Sequence, residues 1–242
     1  MAVITIGNTK GGSGKTTAVI VLATSFAAKG LNVAVIDGDP DQTLCQWYAR
    51  WAKASGCNED LVLDSKTNTL AEAHSHANLT AVPHATEDNM DDLIGAYEGS
   101  HDVVLVDLQG SANRAMMMAF GHSDMAIVPA QASAFDGAGL LKTIKVIRAA
   151  SKMARRPIKE WVLLTRTGST IKSKVDRHTR SEVANLGLNV LDVELCQWTG
   201  LQQMTYAGTP PDKGGAVETM AALTKEVLQV LQDKKSPTVA AG

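Results

Sequence analysis

The stretch that most constrains this chain is AVITIGNTKGGSGKTTAVIVLATSFAAKG, residues 2–30. A short β-branched run, a glycine-rich turn and an apolar helical pattern follow one another without a gap. A loop placed between a strand and a helix start can turn its backbone N–H groups inward around phosphate oxygens. The helix N-terminus adds partial positive charge to the same spot. Gly11, Gly12, Ser13 and Gly14 supply the turn. Lys15 can reach the β- and γ-phosphates of a nucleotide, Thr16 can place its hydroxyl on Mg²⁺, and Thr17 falls near the α-phosphate. Lys10, before the first glycine, has no duty in an ordinary loop of this kind.

The rest of the chain repeats the alternation of strand and helix. LNVAVIDGD, HDVVLVDLQG, SDMAIVPA and EWVLLTRT read as strands, with NLTAVPH and LNVLDVEL as shorter ones. Helical periodicity is expected after GDPDQ, over MDDLIGAYEGS, GAGLLKTIKVIRAASKMA and SKVDRHTRSEVANLG, and over the closing AVETMAALTKEVLQVLQDKK. Trp47 and Trp51, four apart, should share a helix face. Residues 55–80 give no clear signal. The pattern predicts one α/β domain over 1–235: a single doubly wound, mostly parallel sheet with helices on both faces, as in P-loop NTPases. A short flexible tail is expected at 236–242. Ligands in such sheets sit at the carboxyl ends of the strands.

Two of those strands end in acids. Asp37 and Asp39 close LNVAVIDGD, and Asp107 closes the buried run HDVVLVD, where a carboxylate that holds a Mg²⁺ water is expected. Asp37 could also cap the following helix. The loop departs from GxxxxGK[ST] at its first position, where Thr9 stands. The form xKGGxGKT resembles the deviant loop of the ParA/MinD ATPases. DGDPDQTLCQW and AIVPAQASAFDGAGLLKTI are similar to segments of their small plasmid-partition (ParF-like) members. The resemblance spans nearly the whole chain.

The resemblance implies an ATPase using ATP and Mg²⁺. Lys10 would reach across a homodimer to the partner's nucleotide, Asp39 would position the attacking water, and Asp37 would support the metal shell. Catalytic roles thus fall to Lys10, Lys15 and Asp39, and metal contacts to Thr16, Asp39 and Asp107. By analogy the adenine site lies near Thr165, Arg166 and Pro210, and Gln109 lies near the γ-phosphate. The family's pattern DxDPQ has Asp41 in place of its Gln here, with Gln42 one later. Gly110 follows Asp107 as the family leads one to expect. The MetMetMet run at 116–118 falls on a helix facing either the dimer seam or the core.

Charge points to a partner. The formal net charge is −2. Yet residues 137–180 hold twelve Lys/Arg against Glu160 and Asp176 alone, a local +10 on a remainder of −12. Such a stretch suggests a polyanion surface. Lys142, Lys145, Arg148, Lys152 and Arg156 recur at helical spacing, and Lys172, Lys174, Arg177 and Arg180 do so on the next helix; all nine are candidate DNA contacts. In the family, ATP-bound dimers bind DNA nonspecifically and a ParB-like partner stimulates hydrolysis. The expected function is therefore plasmid or chromosome segregation in the cytoplasm, on the nucleoid. The same switch could instead position a carboxysome or a chemoreceptor cluster.

Starting at its first strand, the chain is not expected to carry an N-terminal operator-binding domain. Other classes fit poorly. LQDKKSPTVAAG lacks the bulky apolar face of a MinD-like membrane helix. No apolar run reaches the roughly 18 residues of a membrane span. Cys45, Cys57 and Cys196 have neither CxxC spacing nor an even count, which argues against a disulfide framework, a metal site and a nitrogenase-reductase cluster. His74, His76 and His84 read as a solvated loop.

Overall fold

The computed structural model describes residues 1–59, 61–64, 69–132, 135–169 and 171–233. The expected tail at 236–242 lies outside the described residues. The strands are β1 (Ala2–Ile6), β2 (Val33–Gly38), β3 (His74–His76), β4 (Leu79–Val82), β5 (Val103–Leu108), β6 (Met125–Gln131), β7 (Lys159–Thr167) and β8 (Leu195–Cys196). The helices are α1 (Lys15–Ala28), α2 (Thr43–Ala54), α3 (Met90–Glu98), α4 (Arg114–His122), α5 (Gly137–Ala154), α6 (Lys174–Asn185), α7 (Thr199–Ala207) and α8 (Gly215–Gln232).

The eight strands form one sheet in the order β3-β4-β2-β5-β1-β6-β7-β8, parallel except for the β3–β4 hairpin. Both faces are covered, which explains why the strands read as continuous apolar runs. Successive β2 side chains alternate between the two cores: Val33 and Val35 pack with α1, α2, α7 and α8, whereas Ala34 and Ile36 pack with α3 to α6. Trp47 and Trp51 stack with centroids 6.0 Å apart on the buried side of α2.

Three expectations change. The strand expected over LNVLDVEL shrinks to a single bridge, Val162↔Val190, and β8 begins only at Leu195. Helix α7 had no sequence forecast. His74 and His76 lie on the edge strand β3 instead of a solvated loop: the Tyr48 hydroxyl is 2.9 Å from His74 Nδ1, and the rings meet edge-on. His84 sits in a connection at φ 59. Of the methionine run, Met116 is core, while Met117 and Met118 are partly buried against the same cluster.

Register places the site. Ile6 pairs with Asp107, and Asp107 with Asp37, so β1, β2 and β5 end side by side. On the other flank β6 pairs with β1 only as far as Ile127, because the chain turns away after Ile6. Pro129, which has no N–H, comes after that point, and the Asn8 amide donates to its carbonyl at 2.7 Å.

Candidate functional site: a phosphate loop over three aspartates

Gly12 (φ 70) and Gly14 (φ 95) hold left-handed conformations that carry the chain around the loop. A Cβ on Gly14 would also lie 3.3 Å from Thr165 Cγ2. Thr165 locks the turn by donating its hydroxyl to the Ser13 carbonyl at 2.8 Å. From below, Gly110 comes so near that a Cβ there would stand 3.1 Å from Gly11 N. At the loop's entrance the Lys10 amide donates to Asn8 Oδ1 at 3.0 Å, and the Thr9 amide to Thr143 Oγ1 on α5 at 3.1 Å. Helix α1 opens with neither a side-chain cap nor an acid in its first turn, which leaves its N-terminal field for an anion.

Lys15 is buried, with its ammonium 3.5 Å from the Lys10 carbonyl. Burial lowers its pKa, and the charges of Asp107 and Asp39 work the other way. Asp107 is 1% exposed; the Thr16 hydroxyl lies near enough to favour its charged form, but neither carboxylate oxygen has a partner of good hydrogen-bond geometry among the described residues. Burial pushes Asp107 up to about 7, helped by the Asp37 charge and opposed by Thr16 and Lys15. Burial likewise raises Asp37 to about 6, against the amides of Cys45 and Asp39 that donate to it. Since Cys45 belongs to the first turn of α2, Asp37 does serve as a cap for that turn.

Orphaned buried carboxylate oxygens demand an explanation. Thr16 and Asp107 offer the hard oxygen ligands that suit Mg²⁺, which usually takes only one or two carboxylates and keeps water and phosphate for the rest. No three His, Cys, Asp or Glu side chains form a self-sufficient metal site among the described residues. The donor set therefore fits a magnesium ion that arrives with a nucleotide. Thr16 and Asp107 would hold it there, with Asp39 near Lys15, and the ion would supply charge neutralisation.

The raised carboxyls carry a prediction. Both bind protons more tightly folded than unfolded, so their contribution is greatest below about pH 4 and is lost as pH rises through 6 and 7. Asp107→Asn should therefore stabilise the nucleotide-free protein at pH 8 by an amount on the order of a few kcal/mol, read as a higher melting temperature. The gain should vanish near pH 4. Thermal melts at the two pH values check it; a variant destabilised at pH 8 would contradict the buried-charge account.

A cleft of about 330 Å³ opens beside the loop, lined by Gly14, Thr17, Thr165 and Arg166 and by seven residues between Leu195 and Thr205. Pro210 is not among the residues that line it. Its far wall comes from the end of β8, from Gln197 and Trp198 in the connection, and from α7, including Gln202. No sequence signal marked those residues. Arg166 stands in left-handed backbone (φ 54) at a register shift between β7 and β8, and its guanidinium donates to Gln131 Oε1 at 3.4 Å. Gln109 is exposed and accepts from Ser111.

The nine basic candidates divide. Arg148 grips the buried carboxylate of Glu160 at 2.6 Å. Arg156 pairs with Asp124 and donates to the His122 carbonyl. Lys172 and Arg180 both hold Glu194, at 2.5 and 2.9 Å. These four are paired with acids while staying partly exposed, so the local +10 overstates the unopposed charge the surface presents. Lys142, Lys145 and Lys152 on α5, and Lys174 and Arg177 on α6, are exposed and enter no ion pair among the described residues. No described helix is long and apolar enough to cross a membrane.

The family model described as ATPase MipZ matches residues 2–178. Protein ParA of Rhizobium radiobacter is 26% identical over 208 residues, covering 86% of this chain and 84% of that protein. Among solved structures, the septum site-determining protein MinD of Pyrococcus horikoshii, complexed with Mg-ADP, superposes with a TM-score of 0.71 at 19% identity, over 97% of this chain and 99% of that one. A complex of a substituted McdA with ATP from Cyanothece superposes at 0.72 and 15% identity, over 97% and 98%. The strand-end carboxylates, the two-lysine loop and the match over most of the chain agree: this protein belongs to the MipZ family of ATPases, of the ParA/MinD type.

Proposed function

We propose that the protein is a nucleotide-switched dimer that binds DNA nonspecifically in its ATP state and is released when a ParB-like partner stimulates hydrolysis, moving plasmid or chromosomal DNA over the nucleoid. Lys15, the loop amides and the start of α1 receive the triphosphate. Thr16 and Asp107 hold magnesium, and the cleft along β8 and α7 takes the base. Asp39 orients the attacking water. Lys10, at the rim of the loop, bridges to the nucleotide of a second copy.

The observation that carries the DNA reading is the set of exposed cations on α5 and α6, unopposed by ion pairs among the described residues. Thr9 and Thr143 tie α5 directly to the nucleotide loop, so the surface and the switch share one element. Co-sedimentation with DNA in ADP, ATP and a nonhydrolysable analogue, at two salt concentrations, tests it. Binding in the ATP states alone, falling steeply with salt, is expected; equal binding in ADP and ATP would contradict the switch.

Lys142→Glu with Lys145→Glu should cut DNA affinity by about tenfold or more and lower the salt slope by about two, with ATP turnover without DNA unchanged. Arg148 is a poor choice for that test. Reversing its charge would oppose the buried Glu160 carboxylate and destabilise the fold. Unchanged DNA affinity in the Lys142/Lys145 variant would remove α5 from the interface.

A further inference from the structure

Gln42 occupies an unusual position. It is 5% exposed, in left-handed backbone (φ 50), at the start of α2. A residue with a Cβ takes that conformation only where its surroundings hold it there. Here the side chain does the holding. Its Nε2 donates to the Asp39 carbonyl at 2.8 Å and lies 3.4 Å from the Asp37 carbonyl. Its Oε1 accepts from the His84 amide at 3.0 Å. His84 is itself left-handed, and its carbonyl accepts from Asn89, which anchors the connection to α3.

One buried amide thus ties the turn after β2 to the connection after β4. The Asp39 carbonyl also accepts from the Gln42 backbone N–H at 2.9 Å. The Asp39 amide donates to Asp37 Oδ1, and Asp39 Oδ1 accepts from the Asp41 amide. Asp39 is therefore held at its amide, its carbonyl and its carboxylate, and the grip on the carbonyl belongs to Gln42. Gln42, one position later than the family's Gln, supplies that amide.

We infer that Gln42 is a positioning residue for ATP hydrolysis: its amide clamp fixes Asp39 at the mouth of the phosphate loop. The inference rests on the role given to Asp39 above and is independent of DNA binding. Such a clamp acts on the geometry of the reacting groups and not on nucleotide affinity, because Gln42 lies on the β2 side of the loop, away from the cleft beside Thr165 and Trp198.

Gln42→Gly is the test, since glycine keeps the left-handed backbone without strain, retains the backbone bond to the Asp39 carbonyl and removes the side-chain clamp. Single-turnover hydrolysis with ATP alone should fall by about tenfold, with ATP affinity within about twofold of the parent. In the nucleotide-free protein, the His84 amide should exchange its proton faster. Gln42→Asn, which favours the same backbone but is one carbon shorter, should share both defects. Unchanged hydrolysis with a deprotected His84 amide would overturn the inference, as would unchanged protection at His84. Parallel losses of ATP affinity and melting temperature would assign Gln42 a structural role only and overturn it too. Because no DNA or partner is added, failure of the segregation reading would leave these results unaltered.

Discussion

Lys10→Ala is expected to bind ATP within about threefold of the parent protein and to remain a monomer when it does. ATP brings about four negative charges to a loop whose own ammonium, Lys15, is buried and already faces Asp107 and Asp39. A second subunit approaching that loop meets the remaining negative charge, and two nucleotides face to face repel unless cations lie between them. Lys10 stands where it can serve, because its amide is pinned to Asn8 Oδ1 and the neighbouring Gly11 and Gly12 are exposed.

An ion pair at 4 Å contributes about 4 kcal/mol in a partly screened site. In an isologous dimer every such contact occurs twice. Losing both removes on the order of 8 kcal/mol of attraction before desolvation is counted, enough to move the dimer out of any practical concentration range. ATP binding should survive because the loop amides, Lys15 and the start of α1 are untouched. Normal ATP-dependent dimers in this variant would refute the bridge.

Asp39→Ala is expected to lower ATP turnover by about 10²- to 10⁴-fold, the range seen when a group that positions or deprotonates the nucleophile is removed. Unlike Lys10→Ala, it should accumulate dimers, since hydrolysis is the step that dissolves them. Asp39 differs from its two neighbours in a way that suits the task. Asp37 is fully buried and spent on the amides of Cys45 and Asp39, and Asp107 lies beneath the loop. Asp39 is half-buried, with one oxygen aligned by the Asp41 amide. Turnover and sedimentation in the same samples check the pairing of the two effects; undiminished turnover would remove Asp39 from the reaction.

The phosphate loop and its aspartates were legible because each is a local pattern at a strand end, and parallel pairing then forces the ends together. Knowing that Ile6 and Asp37 both terminate buried runs nearly suffices to place them beside Asp107. The cleft beside the loop was not legible. Strand β8 is two residues long, and α7 buries only Leu201 and Met204, so neither carries enough periodicity to announce itself.

The basic stretch shows a different limit. Helical spacing revealed a charged face, but Arg148, Arg156, Lys172 and Arg180 are matched by Glu160, Asp124 and Glu194, and Asp124 and Glu194 lie outside that stretch. Local counting cannot see partners that the fold brings in from elsewhere. At Gln42 the sequence showed a departure from pattern, and only the contact with His84, 42 residues away, gives it a physical reading.

The central claim is that ATP joins two copies of this chain. Light scattering on the unmodified protein with Mg-ADP and then with Mg-ATP, at micromolar concentration and moderate salt, tests it most directly. The account predicts one subunit mass in ADP and twice that mass in ATP. A single subunit in both, with ATP shown to be bound, would contradict it.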